Sequence, residues 1–185
     1  MTLNEKQLLK TWGIVALVCA IVLALMLPLV LSYPVYPAWQ KEVHSYQQVQ
    51  KAMNGTDVPM LPAEDILIGT NQEFLVQLDG RSLGANPTGY VVFQDLRLNG
   101  AFIRFVFEIG ERGFSDMPSA GEYRGVAICG DSSAPWYAVG FRLNGKSCYL
   151  EASCTTSSPD AAMEEAIRAQ LTDFAHKIID YALDA

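Results

Sequence analysis

Histidine and cysteine are scarce in this sequence, and neither occurs at the spacing of a metal site. There are two histidines and four cysteines, with no Cys-x-x-Cys or His-x-x-x-His pair among them. Structural zinc sites usually take their ligands from such closely spaced pairs. A glycine-rich phosphate loop leading into a helix is missing as well. The sequence therefore predicts neither a metal nor another cofactor.

Basic residues are also few. Lysine and arginine number 13 against 20 aspartates and glutamates, which gives a formal net charge of −7. Nucleic acids and anionic lipid headgroups are themselves negative, so an acidic chain repels them. We expect no nucleic acid as a ligand, and we expect other proteins or small molecules as partners.

A catalytic constellation is not evident. Residues 129–135, Cys-Gly-Asp-Ser-Ser-Ala-Pro, resemble in part the Gly-Asp-Ser-Gly-Gly-Pro signature of trypsin-like serine proteases. The resemblance implies Ser132 as a nucleophile, but Ser133 and Ala134 replace the two glycines of the family. Neither histidine has the sequence setting of the family's base, and a triad is defined by geometry and roles. We expect a polar turn here and no enzyme.

The most informative feature present is an apolar run at residues 12–31, which contains no charged side chain. A helix of this length spans about 30 Å, the thickness of the bilayer hydrocarbon. The run exceeds the apolar core of about 7–15 residues found in signal peptides. Residues 12–31 are therefore predicted to form a transmembrane helix. Lys6 and Lys10 place the short N-terminus, residues 1–11, in the cytoplasm. The chain is then a single-pass protein of the inner (plasma) membrane with an extracytoplasmic C-terminal domain.

Small residues recur within the span at steps of three, four and four, as Gly13, Ala16, Ala20 and Ala24. Such a face lets a second transmembrane helix approach closely. The alternative is that these residues face lipid, because alanine is common in membrane spans. The pattern favours a span that packs against other spans.

Beyond the span, residues 32–64 are predicted to hold an interfacial belt, a membrane-proximal helix and a linker, and residues 65–185 an extracytoplasmic domain. A helix over residues 38–53 is indicated by an apolar stripe with helical spacing: Trp39, Val43, Tyr46, Val49 and Met53. Residues 54–64 contain two prolines and an Asn-Gly pair, which favour a linker.

Two hairpins dominate the predicted domain. Residues 90–98 and 101–109 flank Asn99-Gly100, and residues 136–143 and 146–153 flank Asn144-Gly145. Asn-Gly is typical of the two-residue type I′ turn, and counting outward from the first turn sets Asp95 opposite Arg104. Shorter strands are predicted at residues 66–68, 74–78 and 125–129, all in one antiparallel sheet.

Two long loops are predicted at residues 79–89 and 111–125. Loops of this length are usually functional or disordered. The second contains aromatic and sulfur side chains, which we expect to be exposed and to contact a partner: Phe114, Met117 and Tyr123.

The C-terminus is predicted to be a helix that begins with Ser158 as N-cap and Pro159 in the first turn. Its apolar stripe is Met163, Ile167, Leu171, Phe174, Ile178 and Ala182, which should pack on one face of the sheet. The fold class is therefore α+β: an N-terminal transmembrane helix, then a small antiparallel sheet covered by a C-terminal amphipathic helix.

The cysteines outside the span suggest one crosslink. Cys148 and Cys154 are about 20 Å apart on an extended strand, too far for a disulfide. Cys129 is the remaining partner, and a Cys129–Cys154 disulfide is predicted if the strand ends curl together. The alternative is three reduced, buried cysteines.

The leading hypothesis is a non-enzymatic accessory or assembly subunit of a larger membrane complex, which docks on multi-span proteins. A membrane-anchored ligand-binding or sensory domain is the alternative, with Phe102, Phe105 and Phe107 available to line an apolar pocket. A hydrolase that uses Ser132 is the third hypothesis.

Overall fold

The computed structural model describes residues 39–80, 85–111, 114, 116–131, 136–154 and 159–184. The predicted span, its small-residue face and Ser132 lie outside these residues. No helix within those ranges has the length and apolar character needed to cross a bilayer. The transmembrane helix therefore stays a prediction from the sequence.

The described part of the chain contains one eight-stranded antiparallel sheet with the strand order β1-β2-β3-β4-β8-β7-β6-β5. The strands are β1 (Trp39–Val43), β2 (Thr70–Leu78), β3 (Pro87–Leu98), β4 (Ala101–Gly110), β5 (Ser119–Tyr123), β6 (Val126–Asp131), β7 (Trp136–Leu143) and β8 (Lys146–Cys154). The helices are α1 (Tyr46–Met53), α2 (Ala63–Ile66) and α3 (Ala161–Asp184). Two four-stranded meanders, β1–β4 and β5–β8, join where β4 pairs with β8. An α+β architecture is therefore confirmed for the sheet and its C-terminal helix.

Both predicted hairpins are present in the predicted register. Asn99 and Asn144 have φ angles of 46° and 51°, each followed by a glycine with positive φ, as a type I′ turn requires. Asp95 pairs with Arg104, and the Arg104 Nε lies 2.9 Å from Asp95 Oδ1. This guanidinium lowers the pKa of the Asp95 carboxyl.

One face of the sheet forms the core together with α1 and α3. Helix α3 packs on β7 and β8, and α1 packs on β2 and β3. Phe174 of α3 makes edge-to-face contacts with Phe105 and Phe107 of β4, at centroid distances of 5.6 and 5.3 Å. All three side chains are fully buried, and burial of one such side chain contributes about 1.5–3 kcal/mol. We call this the core face, and the opposite one the open face.

The helix predicted over residues 38–53 is wrong in its first half. Residues Trp39–Val43 form β1, which pairs with β2, and the helix starts only at Tyr46 with Ser45 as N-cap. The backbone N–H of Gln48 donates to Ser45 Oγ at 3.4 Å. The helix was predicted too long because Val43, which faces the core from a strand, also lies at a position that fits the helical apolar stripe.

The strand predicted at residues 66–68 is also wrong, because Ile66 ends helix α2. Gln94, which is fully buried on β3, holds this segment at two points. Its Nε2 donates to the Ile66 carbonyl at 2.8 Å, and its Oε1 accepts from the Gly69 N–H at 2.9 Å. These bonds take the place of strand pairing.

The predicted linker, residues 54–64, is fixed to the core by two buried tyrosines. The Tyr46 hydroxyl donates to the Leu61 carbonyl at 3.0 Å and accepts from the Leu61 N–H at 2.7 Å. The Tyr90 hydroxyl donates to the Pro59 carbonyl at 2.8 Å. Burial raises the pKa of Tyr46 to about 12, which keeps its hydroxyl protonated as a donor.

The two predicted loops are shorter than expected. Strand β3 begins at Pro87, inside the loop assigned to residues 79–89. Strand β5 occupies Ser119–Tyr123, inside the loop assigned to residues 111–125. Arg124 and Gly125, with φ angles of 50° and 82°, form the turn between β5 and β6. This third hairpin was not predicted from the sequence, because Arg-Gly is a weaker turn signal than Asn-Gly.

Candidate functional site

A groove of about 420 Å³ lies between α2 and the last turns of α3. We call it the α3 groove. Its lining is Pro62, Asp65, Lys177, Asp180, Tyr181 and Asp184. The four α3 residues recur at steps of three, one and three, which places them on one side of a helix. Three carboxylates and one ammonium group give the groove a negative charge.

Arg124 at the tip of the β5–β6 hairpin bridges two of these carboxylates. Its Nη1 lies 2.8 Å from Asp180 Oδ1 and its Nη2 lies 2.8 Å from Asp184 Oδ1. These contacts raise the pKa of the guanidinium and lower the pKa of Asp184. A cation is favourable here because the C-terminal end of a helix carries partial negative charge, and the last turn of α3 has no basic residue of its own.

Tyr123 adds a second contact between the hairpin and α3. Its ring stacks on His176 with centroids 3.7 Å apart and an interplanar angle of 12°. Its hydroxyl donates to Asp180 Oδ2 at 3.1 Å, and this bond is the main cause of the raised pKa of Tyr123. Tyr123 and Arg124 together form what we call the hairpin tip.

Lys177 and Asp65 complete the charged lining of the groove. Lys177 Nζ lies 2.8 Å from Asp173 Oδ2, one turn earlier on α3. Asp65 is exposed on α2. Tyr181 and Leu183 are each 48% exposed, although both are large apolar residues. The end of α3 therefore combines solvent-exposed apolar area with carboxylates.

The residues predicted to contact a partner do not form one surface. Phe114 lies on the open face, where a Cβ added to Gly140 would come within 2.6 Å of its ring, and the Arg142 guanidinium lies 5.8 Å from its centroid. The N–H of Met117 donates to the Phe114 carbonyl at 3.1 Å. Tyr123 instead contacts α3 on the core face. All three are partly buried, where exposed side chains were expected, and their contact with a partner stays a prediction.

The predicted Cys129–Cys154 disulfide is absent, and the register explains why. Cys129 pairs with Gly140, and Gly140 pairs with Tyr149. Cys154 lies five residues further along β8, which adds about 16 Å of separation along the strand direction. Disulfides need Cα atoms within about 7 Å. Burial raises the pKa of Cys148 to about 12, so this thiol is unreactive at neutral pH.

The open face carries a row of polar side chains that bond to one another. Gln77 is 7% exposed, and its Nε2 donates to Glu108 Oε1 at 2.9 Å. The Tyr149 hydroxyl donates to Glu151 Oε2 at 2.9 Å. We interpret the row as structural, because Glu108 on β4 accepts a bond from β2 across β3, and Glu151 accepts one from its own strand β8. Within the described ranges, no three His, Cys, Asp or Glu side chains come together to hold a metal ion.

Comparison with known proteins adds no assignment. No family model, curated protein or solved structure matches the chain.

The groove residues were missed by the sequence analysis, although one signal was present. Asp173, Asp180 and Asp184 place negative charge in the C-terminal half of α3, where it opposes the helix dipole. Such an arrangement indicates that a cation from elsewhere compensates it. The sequence could not identify Arg124 as that cation, because it lies 60 residues from Asp184.

Proposed function

We propose that the chain is a non-enzymatic accessory or assembly subunit of a larger membrane protein complex. In this proposal, residues 12–31 anchor it in the inner (plasma) membrane with the N-terminus in the cytoplasm. The extracytoplasmic domain then docks on partner subunits, which we expect to be multi-span proteins. The observation that carries the proposal is the Tyr181 ring, which is 48% exposed and lines the α3 groove beside three carboxylates.

This surface has the composition of a protein contact. Interfaces combine an apolar centre with a polar rim, and tyrosine is frequent among the residues that dominate binding energy. Because Tyr181 is already half buried, its burial against a partner would contribute about 1 kcal/mol. The carboxylates around it would restrict which partner fits.

The test is a pull-down of the full chain from its native membrane in mild detergent, with mass spectrometry of the proteins that copurify. We expect a stoichiometric set of multi-span proteins with the unaltered chain. The variant Tyr181→Glu should lose them, because it places a further negative charge where the ring would be buried.

The matched control is Thr172→Glu, an exposed position on α3 outside the groove. It should retain the same proteins. A chain that purifies alone would contradict the accessory-subunit proposal. Equal recovery with Tyr181→Glu would show that the α3 groove is not the contact site.

The alternative function, a ligand-binding or sensory domain, requires an apolar pocket between sheet and helix. Phe105, Phe107 and Phe174 fill the space at the centre of the core face, and Phe102 is 53% exposed on the open face. These placements favour the docking function over a ligand pocket. A small molecule in the purified preparation, detected by its absorbance or mass, would reverse that preference.

A further inference from the structure

We propose that Arg124 is an autoinhibitory contact, which occupies Asp180 and Asp184 until a cationic segment of a partner protein displaces it. This inference depends on the docking function proposed above and concerns the regulation of the same groove. It predicts that the hairpin tip leaves α3 when the partner binds.

The first support is that the same two carboxylates belong to the groove and to the hairpin contact. Asp180 and Asp184 line the groove, and each lies 2.8 Å from a nitrogen of the Arg124 guanidinium. Carboxylates bind guanidinium groups through such paired contacts. A partner's arginine or lysine in the groove would therefore compete with Arg124 for the same oxygens.

The second support is that the hairpin contact is accessible to exchange. The side chains of Arg124, Asp180 and Asp184 are 40%, 40% and 65% exposed. Ion pairs that water reaches to this extent are weak and are screened by salt. A competing cation therefore does not have to open the core to reach them.

The third support is the position of β5 at the edge of the sheet. Its first four residues are exposed, and Tyr123 is its one partly buried residue. The pairing with β6 is interrupted between Ser119 and Gly121, and an irregular edge strand has few contacts that oppose local opening. Besides the ladder with β6, β5 is held through the contacts of the hairpin tip with α3.

The groove also has features that would hold the incoming segment. Asp65 on α2 supplies a carboxylate outside the Arg124 contact. The Tyr181 ring is 48% exposed, and tyrosine faces attract guanidinium and ammonium groups. The partner segment is therefore expected to carry arginine or lysine beside an apolar residue.

The first experiment measures amide hydrogen exchange in residues 119–123 of the full chain in detergent. We expect Arg124→Gln to accelerate exchange there about fivefold, and 1 M NaCl to accelerate the unaltered chain to a similar rate. Arg168→Gln is the matched control, because Arg168 forms an exposed pair with Glu164 on the same helix. Exchange unaffected by Arg124→Gln would overturn the proposal.

The second experiment measures binding of a fluorescein-labelled hexa-arginine peptide at low salt, with hexa-glutamate as the control probe. Arg124→Gln should bind hexa-arginine about tenfold more tightly than Arg168→Gln, because only Arg124→Gln frees Asp180 and Asp184. Both variants lose one positive charge, so the difference does not come from net charge. Added hexa-arginine should also accelerate exchange in residues 119–123 of the unaltered chain. Equal affinity of the two variants would overturn the competition.

These outcomes separate this inference from the docking proposal. Copurifying subunits that are lost in the Tyr181→Glu variant would support docking at the groove even where hexa-arginine fails to compete. A chain that purifies alone would contradict docking, whereas the exchange data would still report whether Arg124 holds the hairpin tip.

Discussion

Val106 of β4 pairs with Glu151 of β8 at the centre of the sheet, and the two Asn-Gly hairpins are related by a local two-fold axis through this pair. The axis exchanges the pair Ile103–Cys154 with the pair Ile109–Cys148. It also places the two turns, each preceded by Arg-Leu, at opposite ends of the sheet. The two meanders are therefore joined along one pair of strands, and side chains packed on β4 and β8 link both halves.

The first prediction concerns Phe174, which packs on β4 beside this junction. Phe174→Ala should destabilise the domain by about 3–5 kcal/mol, because it removes a fully buried ring and leaves a cavity. Urea unfolding followed by circular dichroism measures the change. Thr172→Ala, exposed on the same helix, should stay within about 0.5 kcal/mol. Similar values for the two variants would contradict the packing of α3 on the sheet.

The sequence predicted these hairpins well because their information is local. Asn99-Gly100 and Asn144-Gly145 specify both the turn and its register. The β4–β8 pairing has no such local signal, since it joins strands distant in sequence. The hairpin tip has the same limitation, because Arg124 and Asp184 become neighbours only in the folded domain.

A second limitation was periodicity. The apolar stripe at residues 39–53 fits a helix by spacing, yet the structure divides it into β1 and α1. A short segment can fit both the helical spacing and the alternation of a strand by chance. The pairing of β1 with β2 decides in favour of the strand. The C-terminal stripe is longer and was predicted correctly, with Met163, Ile167 and Leu171 all buried.

The second prediction compares two glutamines that bond to the same backbone segment. Gln94 is fully buried and bonds to the Ile66 carbonyl and the Gly69 N–H. Gln94→Ala should cost about 2–4 kcal/mol in urea unfolding, because the buried Ile66 carbonyl and the partly buried Gly69 N–H lose their partner.

Gln72 is the matched control for that variant. Its Nε2 donates to the Leu67 and Gly69 carbonyls at 2.9 and 3.1 Å, but the side chain is exposed. Water replaces these bonds in Gln72→Ala, so the free energy of unfolding should change by about 0.5 kcal/mol or less. Equal costs for the two variants would show that Gln94 is not buried in the folded domain.

The third prediction concerns the thiols. Iodoacetamide at pH 8 should modify Cys129 in the folded chain and leave Cys148 unmodified, because burial raises the pKa of Cys148 to about 12. Peptide mass spectrometry without reductant identifies the modified residues. Unfolding in urea should expose Cys148 to the same reagent. A Cys129–Cys154 crosslinked peptide would contradict the strand register between β6, β7 and β8.

The fourth prediction is a loss of the hairpin-tip contact in acid. Arg124 lowers the pKa of Asp184 from its ordinary value of 3.8. A carboxyl with a depressed pKa stabilises the folded contact above its unfolded pKa, and this contribution disappears as pH falls through the lower, folded value. The contact should therefore be intact at pH 5 and weaken below about pH 4.

The ring-proton chemical shifts of Tyr123 in NMR spectra measure this change, because its ring stacks on His176 only while the hairpin tip is in place. Asp184→Asn removes the carboxyl, so its shifts should depend less on pH between 5 and 3 than those of the unaltered chain. Glu165→Gln alters an exposed carboxyl near the start of α3 and should leave the pH profile unchanged. If Asp184→Asn and the unaltered chain titrate alike, Asp184 does not hold Arg124, and Asp180 together with the stack on His176 accounts for the contact of the hairpin tip with α3.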